Sequence, residues 1–291
     1  MGSGYIVQRG GGKDYSVFQA LADRSITEVT AEMLDGIMSI GSSAFYNCKA
    51  LTSVTIPSSV VSIAGRAFSE CTALTSVTIP SSVASIESYT FSSCTSLTSV
   101  TMPDSVTSIG IAAFTRCIAL ASITIPSSVT SIGSSAFEDC KALTSITIPS
   151  SVTSISNGVF FRCDSLKSVI IQNGVRSIGS SAFRSCSALT SITIPSSITS
   201  IGGSAFSYCN SLTSVTIQSG VTSIGNQAFY FCVALASVTV EATTPLTLGT
   251  EVFLNTSSNL VIYVPAESVE AYKSATNWST YASKIQAIPS T

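Results

Sequence analysis

A 23-residue spacing of cysteines constrains this chain more than any other feature. The nine Cys residues of the 291-residue sequence follow one another at intervals of 23, as Cys48, Cys71, Cys94, Cys117, Cys140, Cys163, Cys186, Cys209 and Cys232. A Phe lies three residues before each Cys, and a Leu lies three residues after it. Three residue types that keep this register along the chain predict a solenoid in which each repeat is one structural unit.

Each repeat contains the pattern of a short strand. In one well-formed repeat, Leu143, Ile146 and Ile148 give L-x-x-I-x-I, the strand pattern of leucine-rich repeats, whose period is about 20–29 residues. Residues between them face the other side of the sheet, because side chains alternate along a strand. Pro149 and the following serines then turn the chain into a second extended segment that contains Ile155.

The rest of the repeat closes the turn of the solenoid. Gly133 permits a tight bend or a positive φ, and the Ser-Ser-Ala-Phe that ends at Phe137 is typical of a short helical or 3-10 turn. We therefore predict a leucine-rich-repeat horseshoe with short parallel strands on its concave face. Short extended or 3-10 segments form its convex side, and irregular caps close both ends.

The sequence divides into three parts. Residues 1–37 are a leader and N-terminal cap, residues 38–240 contain nine full 23-residue repeats, and residues 241–291 are a C-terminal capping segment. Residues 26–29 resemble a repeat strand, and we expect Tyr5, Tyr15, Phe18 and Leu21 to cover the first rung.

The C-terminal segment keeps part of the repeat pattern. Residues 248–253 match I-G-S-S-A-F but no Cys follows them, residues 262–265 predict a last strand, and residues 268–274 predict a short helix. Trp278, Tyr281 and Ile285 are expected to plug the last rung, because terminal repeats are normally atypical.

These residues resemble a known family. The unit A-F-x-x-C-x-x-L-T-S-I-T-I-P-S-S-V-T-S-I-G is similar to the BspA-like class of leucine-rich repeats, and residues 263–285 resemble the C-terminal end of such proteins in gut Bacteroidales. The resemblance implies an extracellular or cell-surface protein that contacts host matrix proteins or other bacteria. It implies no catalytic residues. The surface location is expected from the resemblance alone, because no lipoprotein signal or other anchor is recognisable in the sequence.

Composition and charge argue against several other functions. Apolar residues make up 45% of the chain, but they alternate with Ser and Thr, and no run approaches the roughly 18 residues of a spanning helix. We therefore expect no membrane insertion by this chain. The 13 basic and 15 acidic residues give a net charge of −2, which predicts no binding of nucleic acid.

The sequence also predicts neither an enzyme nor a bound cofactor. The chain contains no His, which is the commonest general base and the commonest metal ligand. Its nearest carboxylate cluster, Glu138 and Asp139, consists of neighbours in a turn. The cysteines lack the short C-x₂₋₄-C pairs of zinc sites, and we interpret them as buried hydrophobic residues with free thiols.

Two surfaces are candidates for ligand contact. The first is the turn around Cys, where the repeats differ most and where aromatic and basic residues occur on nearby rungs. This variation is equally consistent with loop positions that tolerate substitution. Its candidate residues are Tyr208, Tyr230, Phe231, Phe161 and Arg162. The second is the outward face of the sheet, a regular array of hydroxyls whose simpler interpretation is a solvated strand face. Its candidate residues are Ser122, Thr124, Ser145, Thr147, Ser191 and Thr193.

Two functions remain as hypotheses. The first is a surface adhesion or interaction protein whose partner is a protein or glycan on a host or bacterial surface. The alternative is a structural or spacer module, such as a component of a phage particle or a display scaffold, because similar repeats also occur in phage structural proteins. The two hypotheses differ in whether the isolated chain binds a ligand.

Overall fold

A computed structural model of the chain describes residues 24–290 together with the backbone of Val17–Phe18. The chain forms two compact units, residues 1–143 and 144–291. In each unit the strands pair in parallel with the strands of neighbouring repeats, as expected of a leucine-rich-repeat solenoid. The predicted cover of the first rung by Tyr5, Tyr15, Phe18 and Leu21 concerns side chains outside the described residues.

The L-x-x-I-x-I segments form the first set of parallel strands, which we call the main strands. Those of the first unit are β2 (Glu28–Val29), β4 (Ser53–Val54), β6 (Ser76–Thr78) and β8 (Ser99–Thr101). Those of the second unit are β11 (Ser145–Ile148), β13 (Ser168–Ile171), β15 (Ser191–Ile194), β17 (Ser214–Ile217), β19 (Ser237–Val240), β21 (Val261–Val264) and β22 (Ile285–Ala287). The strands pair in a register that places equivalent positions of neighbouring repeats side by side, as in Ser191 with Ser214 and Ile192 with Val215.

The second extended segment of each repeat forms a further set of parallel strands, which we call the return strands. In the first unit they are β1 (Val17–Phe18), β3 (Ser39–Ile40), β5 (Ser62–Ile63), β7 (Ser85–Ile86), β9 (Ser108–Ile109) and β10 (Ser131–Ile132). In the second unit they are β12 (Ser154–Ile155), β14 (Ser177–Ile178), β16 (Ser200–Ile201), β18 (Ser223–Ile224) and β20 (Thr247–Leu248). The prediction of a second extended segment is therefore confirmed.

The apolar columns of the repeat form the core between these strands. Burial alternates along a main strand, so that in β15 Ile192 and Ile194 are buried while Ser191 and Thr193 are exposed. The Phe rings of successive repeats stack nearly parallel, with centroids 5.2 Å apart between Phe183 and Phe206. Stacking of identical residues continues the core from rung to rung, which explains why the repeat period does not vary.

The segment from Ala-Phe to Cys forms two successive turns without a 3-10 helix. In one rung the N–H groups of Ser204, Phe206 and Tyr208 donate to carbonyls of the next rung at 2.8–2.9 Å. The intervening residues donate within the turn, as Ser207 does to the carbonyl of Ser204 at 3.1 Å. Ser204 and Tyr208 adopt φ of 55° and 62°, and these left-handed residues prevent a continuous helix. The turns therefore add a third line of hydrogen bonds between rungs.

The glycine after the return strand is explained by close packing. A Cβ at Gly133 would lie 2.5 Å from the backbone nitrogen of Ile111, and one at Gly225 would lie 2.6 Å from that of Gly203. Neither glycine has a positive φ, since the left-handed residues lie at other positions of the repeat. Of the two roles that the sequence left open, the tight approach of neighbouring backbones is the one that the structure shows.

All nine cysteines are buried free thiols. The Sγ–H of Cys209 donates to the carbonyl of Phe183 at 3.2 Å, and Cys232 donates to Phe206 in the same way at 3.1 Å. Desolvation by burial raises the pKa of the Cys94 thiol to about 12. A thiol in this position fills space as a small apolar residue and also satisfies the spare acceptor capacity of a buried carbonyl.

The C-terminal segment covers the end of the second unit. It contains 3-10 helices at Ala266–Ser268 and Trp278–Lys284, the α-helix α1 (Val269–Ser274) and the added strand β22; another 3-10 helix, Glu32–Leu34, lies near the other end of the chain. The predicted strand at 262–265 and the short helix are both present, but β22 rather than β21 is the last strand. Trp278 is fully buried and Ile285 nearly so, in agreement with their predicted role as a plug, whereas Tyr281 is half-buried.

Candidate functional site

The turns of the second unit carry a row of neighbouring aromatic and basic side chains. We call this row, formed by Phe161, Arg184, Tyr208, Tyr230 and Phe231, the aromatic edge. The ring of Tyr208 stacks on that of Phe231, with centroids 5.3 Å apart, and meets the ring of Tyr230 edge-on at 5.7 Å. Three of the predicted contact residues therefore form one cluster.

Arg184 connects this cluster with Phe161. Its guanidinium carbon lies 5.4 Å from the ring centroid of Tyr208 and 5.8 Å from that of Phe161, within the range of cation–π contacts. Its Nε is buried and has no hydrogen-bond partner among the described residues. Contact with the two rings therefore holds the Arg184 guanidinium at this surface, while its Nε–H donates no hydrogen bond within residues 24–290.

The predicted residue Arg162 lies beside the edge. Its guanidinium carbon is 5.9 Å from the ring centroid of Phe161, and its side chain is exposed. Arg162 has a φ of 60°, in the left-handed region. Phe161 thus lies between two arginines, one from its own turn and one from the next.

Two aromatic residues of the edge have an unfavourable backbone conformation. Tyr208 and Phe231 have φ of 62° and 59°, and such bulky residues are rare in the left-handed region. At the equivalent position of other turns the chain has Asn47 and Asn255, with a φ of 60° each, and Asn tolerates this conformation better. A ring at these two positions therefore costs backbone energy that Asn would largely avoid.

The edge is partly open to solvent. Phe231 is 37% exposed, Tyr208 and Tyr230 are half-buried, and Leu254, which follows Tyr230 in the same column of the next turn, is 43% exposed. Apolar surface of this kind, combined with an arginine, has the composition typical of protein contact sites.

The candidate sheet face has a simpler structure. Ser145, Thr147, Ser191 and Thr193 are exposed on β11 and β15, and their hydroxyls make no hydrogen bond to the described residues. Ile170, 56% exposed, interrupts the Thr column between them. These hydroxyls are available to a ligand.

The other two sheet-face candidates lie in the first unit. Ser122 and Thr124 are exposed, in a segment at 121–126 over which no strand is formed. The hydroxyl array is therefore less regular than the sequence suggests.

Within residues 24–290, no group of three or more Cys, Asp or Glu side chains is arranged to hold a metal ion. The described helices are also too short and too polar to span a membrane.

Two features of this end of the chain were missed from the sequence. Arg184 was not among the candidate residues, although a column drawn at 23-residue steps from Phe161 passes through it. A cleft of about 510 Å³ opens between the last turn, at residues 249–258, and the 3-10 helix Trp278–Lys284. The sequence feature that could have indicated the cleft is the break in the Phe-x-x-Cys-x-x-Leu pattern after Phe253. Thr256 replaces the Cys there, and the following Leu comes one residue later than in the other repeats.

Comparison with known proteins gives consistent results. The sequence model of the family described as "BspA type Leucine rich repeat region (6 copies)" matches residues 18–144 and 131–261. Comparison with curated protein sequences gives no significant match.

Two solved structures resemble the chain in both sequence and fold. A leucine-rich repeat protein from Bacteroides ovatus is 34% identical with a TM-score of 0.73, over 78% of this chain and 59% of that one. A leucine-rich repeat protein from T. pallidum is 31% identical with a TM-score of 0.54, over 59% of this chain and 80% of that one. The chain therefore spans less than two thirds of the length of the Bacteroides ovatus protein.

Proposed function

Because the chain belongs to the BspA-type leucine-rich-repeat family, we propose that it is a non-catalytic interaction protein of the bacterial cell surface or exterior. Its function is adhesion to a protein or glycan on a host or bacterial surface. The aromatic edge, rather than the sheet face, is the contact surface in this proposal.

The observation that carries the proposal is the cluster of Tyr208, Tyr230 and Phe231 with Arg184. Tyr and Arg are enriched among the residues that dominate binding energy at protein interfaces. Contact with neighbouring rings restricts the side chains before a partner arrives, which reduces the entropy lost on binding.

A surface-binding experiment with the purified chain tests the proposal. Matrix proteins and glycans are immobilised, and saturable binding is compared between the original chain and a variant that combines Tyr208→Asn, Tyr230→Ala and Phe231→Asn. Asn at 208 and 231 removes the rings while favouring the left-handed backbone, so that loss of binding cannot be attributed to a misfolded turn. We expect affinity to fall by at least about tenfold, since edge residues of this type act as interface anchors.

Ser93→Asn with Arg116→Asn is the matched control, because these residues have the same left-handed conformation in the first unit. The control is expected to bind as the original chain does. Binding that survives the edge variant would exclude the aromatic edge as the contact surface. If the original chain binds none of the immobilised molecules, the result would favour the structural or spacer module.

A further inference from the structure

The turns of the second unit end in a rung whose hydrogen-bond donors are not all used. In the rung before it, the N–H groups of Gln227, Phe229 and Phe231 donate to the carbonyls of Thr250, Val252 and Leu254 at 2.9–3.1 Å. The equivalent donors of the last rung are those of Glu251, Phe253 and Asn255. Glu251 and Asn255 repeat the left-handed φ, at 57° and 60°, so that the geometry of the donors is kept.

The C-terminal segment satisfies the middle donor of this rung. The N–H of Phe253 donates to the phenol oxygen of Tyr281 at 3.2 Å, and the two rings meet edge-on with centroids 5.4 Å apart. The backbone N–H groups of Glu251 and Asn255 have no acceptor among the described residues. Both residues are exposed, and both line the cleft between the last turn and the 3-10 helix.

Other open backbone groups at this end are capped by side chains. The indole Nε1 of Trp278 donates to the carbonyl of Leu246 at 2.8 Å, and Nδ2 of Asn277 donates to that of Leu248 at 2.6 Å. Strand β22 pairs with β21 and continues the main strands. The C-terminal segment therefore leaves backbone N–H groups without an acceptor in the last turn, among the described residues.

The cleft has the size and chemistry of a small-molecule site. Its volume of about 510 Å³ lies within the range of ligand pockets, about 300–1,000 Å³. Leu254 and the ring of Tyr281 give it apolar walls, while the hydroxyl of Thr280 and the two open N–H groups provide polar contacts. Such a combination orients a ligand by a few hydrogen bonds while its apolar surface is buried.

The charges of the cleft balance. It contains the carboxylate of Glu251, which accepts a hydrogen bond from Gln227 at 2.7 Å, and the ammonium of Lys284, which donates to the carbonyl of Ser258 at 3.0 Å. Because one negative and one positive group line the site, a ligand with net charge gains little. A neutral molecule rich in both donors and acceptors fits this balance.

The position of Tyr281 argues against an extended peptide as the occupant. A peptide that continued the line of turns would have to offer carbonyls to all three N–H groups of the last rung. Its middle carbonyl would collide with the phenol oxygen, which already occupies that place. A compact ligand with oxygens on several sides can instead reach the outer two donors around Tyr281.

From these contacts we propose that the cleft binds the end of a neutral carbohydrate chain, one or two sugar units long. Sugar oxygens accept from the N–H groups of Glu251 and Asn255, sugar hydroxyls donate to the Glu251 carboxylate, and a C–H face packs on Tyr281 and Leu254. The proposal does not depend on the aromatic edge, and either site can fail without the other.

A titration followed by NMR tests the proposal on the full chain. Lactose, maltose, cellobiose and N,N'-diacetylchitobiose are added in turn, and the backbone amide signals of Glu251 and Asn255 are recorded. We expect saturable shifts of both signals with at least one of these neutral sugars. The amides of Ser181 and Ser185, the equivalent donors three rungs earlier, are internal controls that should move little, because they donate to the carbonyls of Gly203 and Ser207 and neither residue lines the cleft.

A pair of variants locates the binding. Thr280→Trp places a large side chain at the cleft and should abolish the saturable shifts. Ser279→Trp places the same side chain on an exposed neighbour that does not line the cleft, and it should leave the shifts unchanged. The amide spectrum away from the cleft verifies the fold of both variants.

Three outcomes would overturn the proposal. If no neutral sugar shifts the Glu251 and Asn255 signals, the cleft is not a carbohydrate site. Binding that persists in Thr280→Trp would place the sugar elsewhere on the chain. If a charged sugar or a short peptide binds in the cleft and the neutral sugars do not, the ligand class is wrong.

Discussion

The phenol oxygen of Tyr281 accepts a hydrogen bond from the backbone N–H of Phe253 and so stands where the carbonyl of a further rung would lie. In the preceding rung the N–H of Phe229 donates to the carbonyl of Val252 at 3.1 Å. A side chain from the C-terminal 3-10 helix therefore takes over a backbone contact of the solenoid. This exchange ends the line of turns, because a side-chain oxygen accepts the hydrogen bond but offers no N–H to continue the line.

The first prediction concerns this hydrogen bond. Tyr281→Phe keeps the ring against Phe253 but removes the acceptor, so we expect a loss of about 1 kcal/mol in the free energy of unfolding. Hydrogen exchange of the Phe253 amide should become faster. Tyr263→Phe is the control, because the Tyr263 hydroxyl makes no hydrogen bond to the described residues. Unchanged exchange at Phe253 in Tyr281→Phe would show that the phenol oxygen is not its acceptor.

The second prediction is a loss of stability at alkaline pH. Burial raises the pKa of several thiols above the ordinary value of 9.0, namely those of Cys71, Cys94, Cys117, Cys140, Cys186 and Cys209. The unfolded chain releases these protons near pH 9.0, whereas the folded chain retains them to higher pH. The stabilisation is therefore complete below pH 9.0 and is lost as the pH rises towards the folded pKa, which is about 12 for Cys94.

Urea unfolding at a series of pH values measures this effect. Each thiol adds a slope of about 1.4 kcal/mol per pH unit within its window. The double variant Cys94→Ala with Cys117→Ala should show a shallower decline than the original chain, although it starts from a lower stability. An equal slope in the two proteins would mean that other groups cause the decline.

The third prediction concerns the Phe column. Phe206 is fully buried and stacks between Phe183 and Phe229 at 5.2 Å on each side. Phe206→Ala should lower the free energy of unfolding by about 3–5 kcal/mol, because it leaves a cavity in a continuous core. Ile170→Ala, at an exposed position, should change it by less than about 0.5 kcal/mol. Similar unfolding midpoints for the two variants would contradict the assignment of the column to the core.

The fourth prediction tests the left-handed positions of the turns. Arg116 has a φ of 60°, and Arg116→Asn should raise the free energy of unfolding by a few tenths to about 1 kcal/mol, since Asn tolerates this conformation. Arg176→Asn is the control, because Arg176 is exposed and does not have a positive φ. A gain in thermal midpoint for Arg116→Asn alone is the expected result. Equal changes in both variants would mean that the effect comes from loss of charge rather than from the backbone.

The sequence determined the repeat, its fold and its core. The 23-residue columns of Phe, Cys and Leu could be assigned to the interior because identical residues at a fixed step must stack once the strands pair in register. Strand β11 (Ser145–Ile148) could be predicted from the alternation of apolar residues, and the return strand β12 (Ser154–Ile155) from the turn at Pro149. These are local patterns repeated many times, so an error in one repeat is corrected by the others.

Only the tertiary structure decided which residues have a strained backbone, which side chains of neighbouring turns are in contact and which backbone N–H groups lack an acceptor. The left-handed φ of Tyr208 and Phe231 could not be read from their residue types, because it is imposed by hydrogen bonds between rungs. Likewise, the contacts of Arg184 depend on which side chains of neighbouring turns lean together. The unused N–H groups of Glu251 and Asn255 exist because the stack ends there and Tyr281 reaches one donor of three, which is a property of packing at one end and of no repeated pattern.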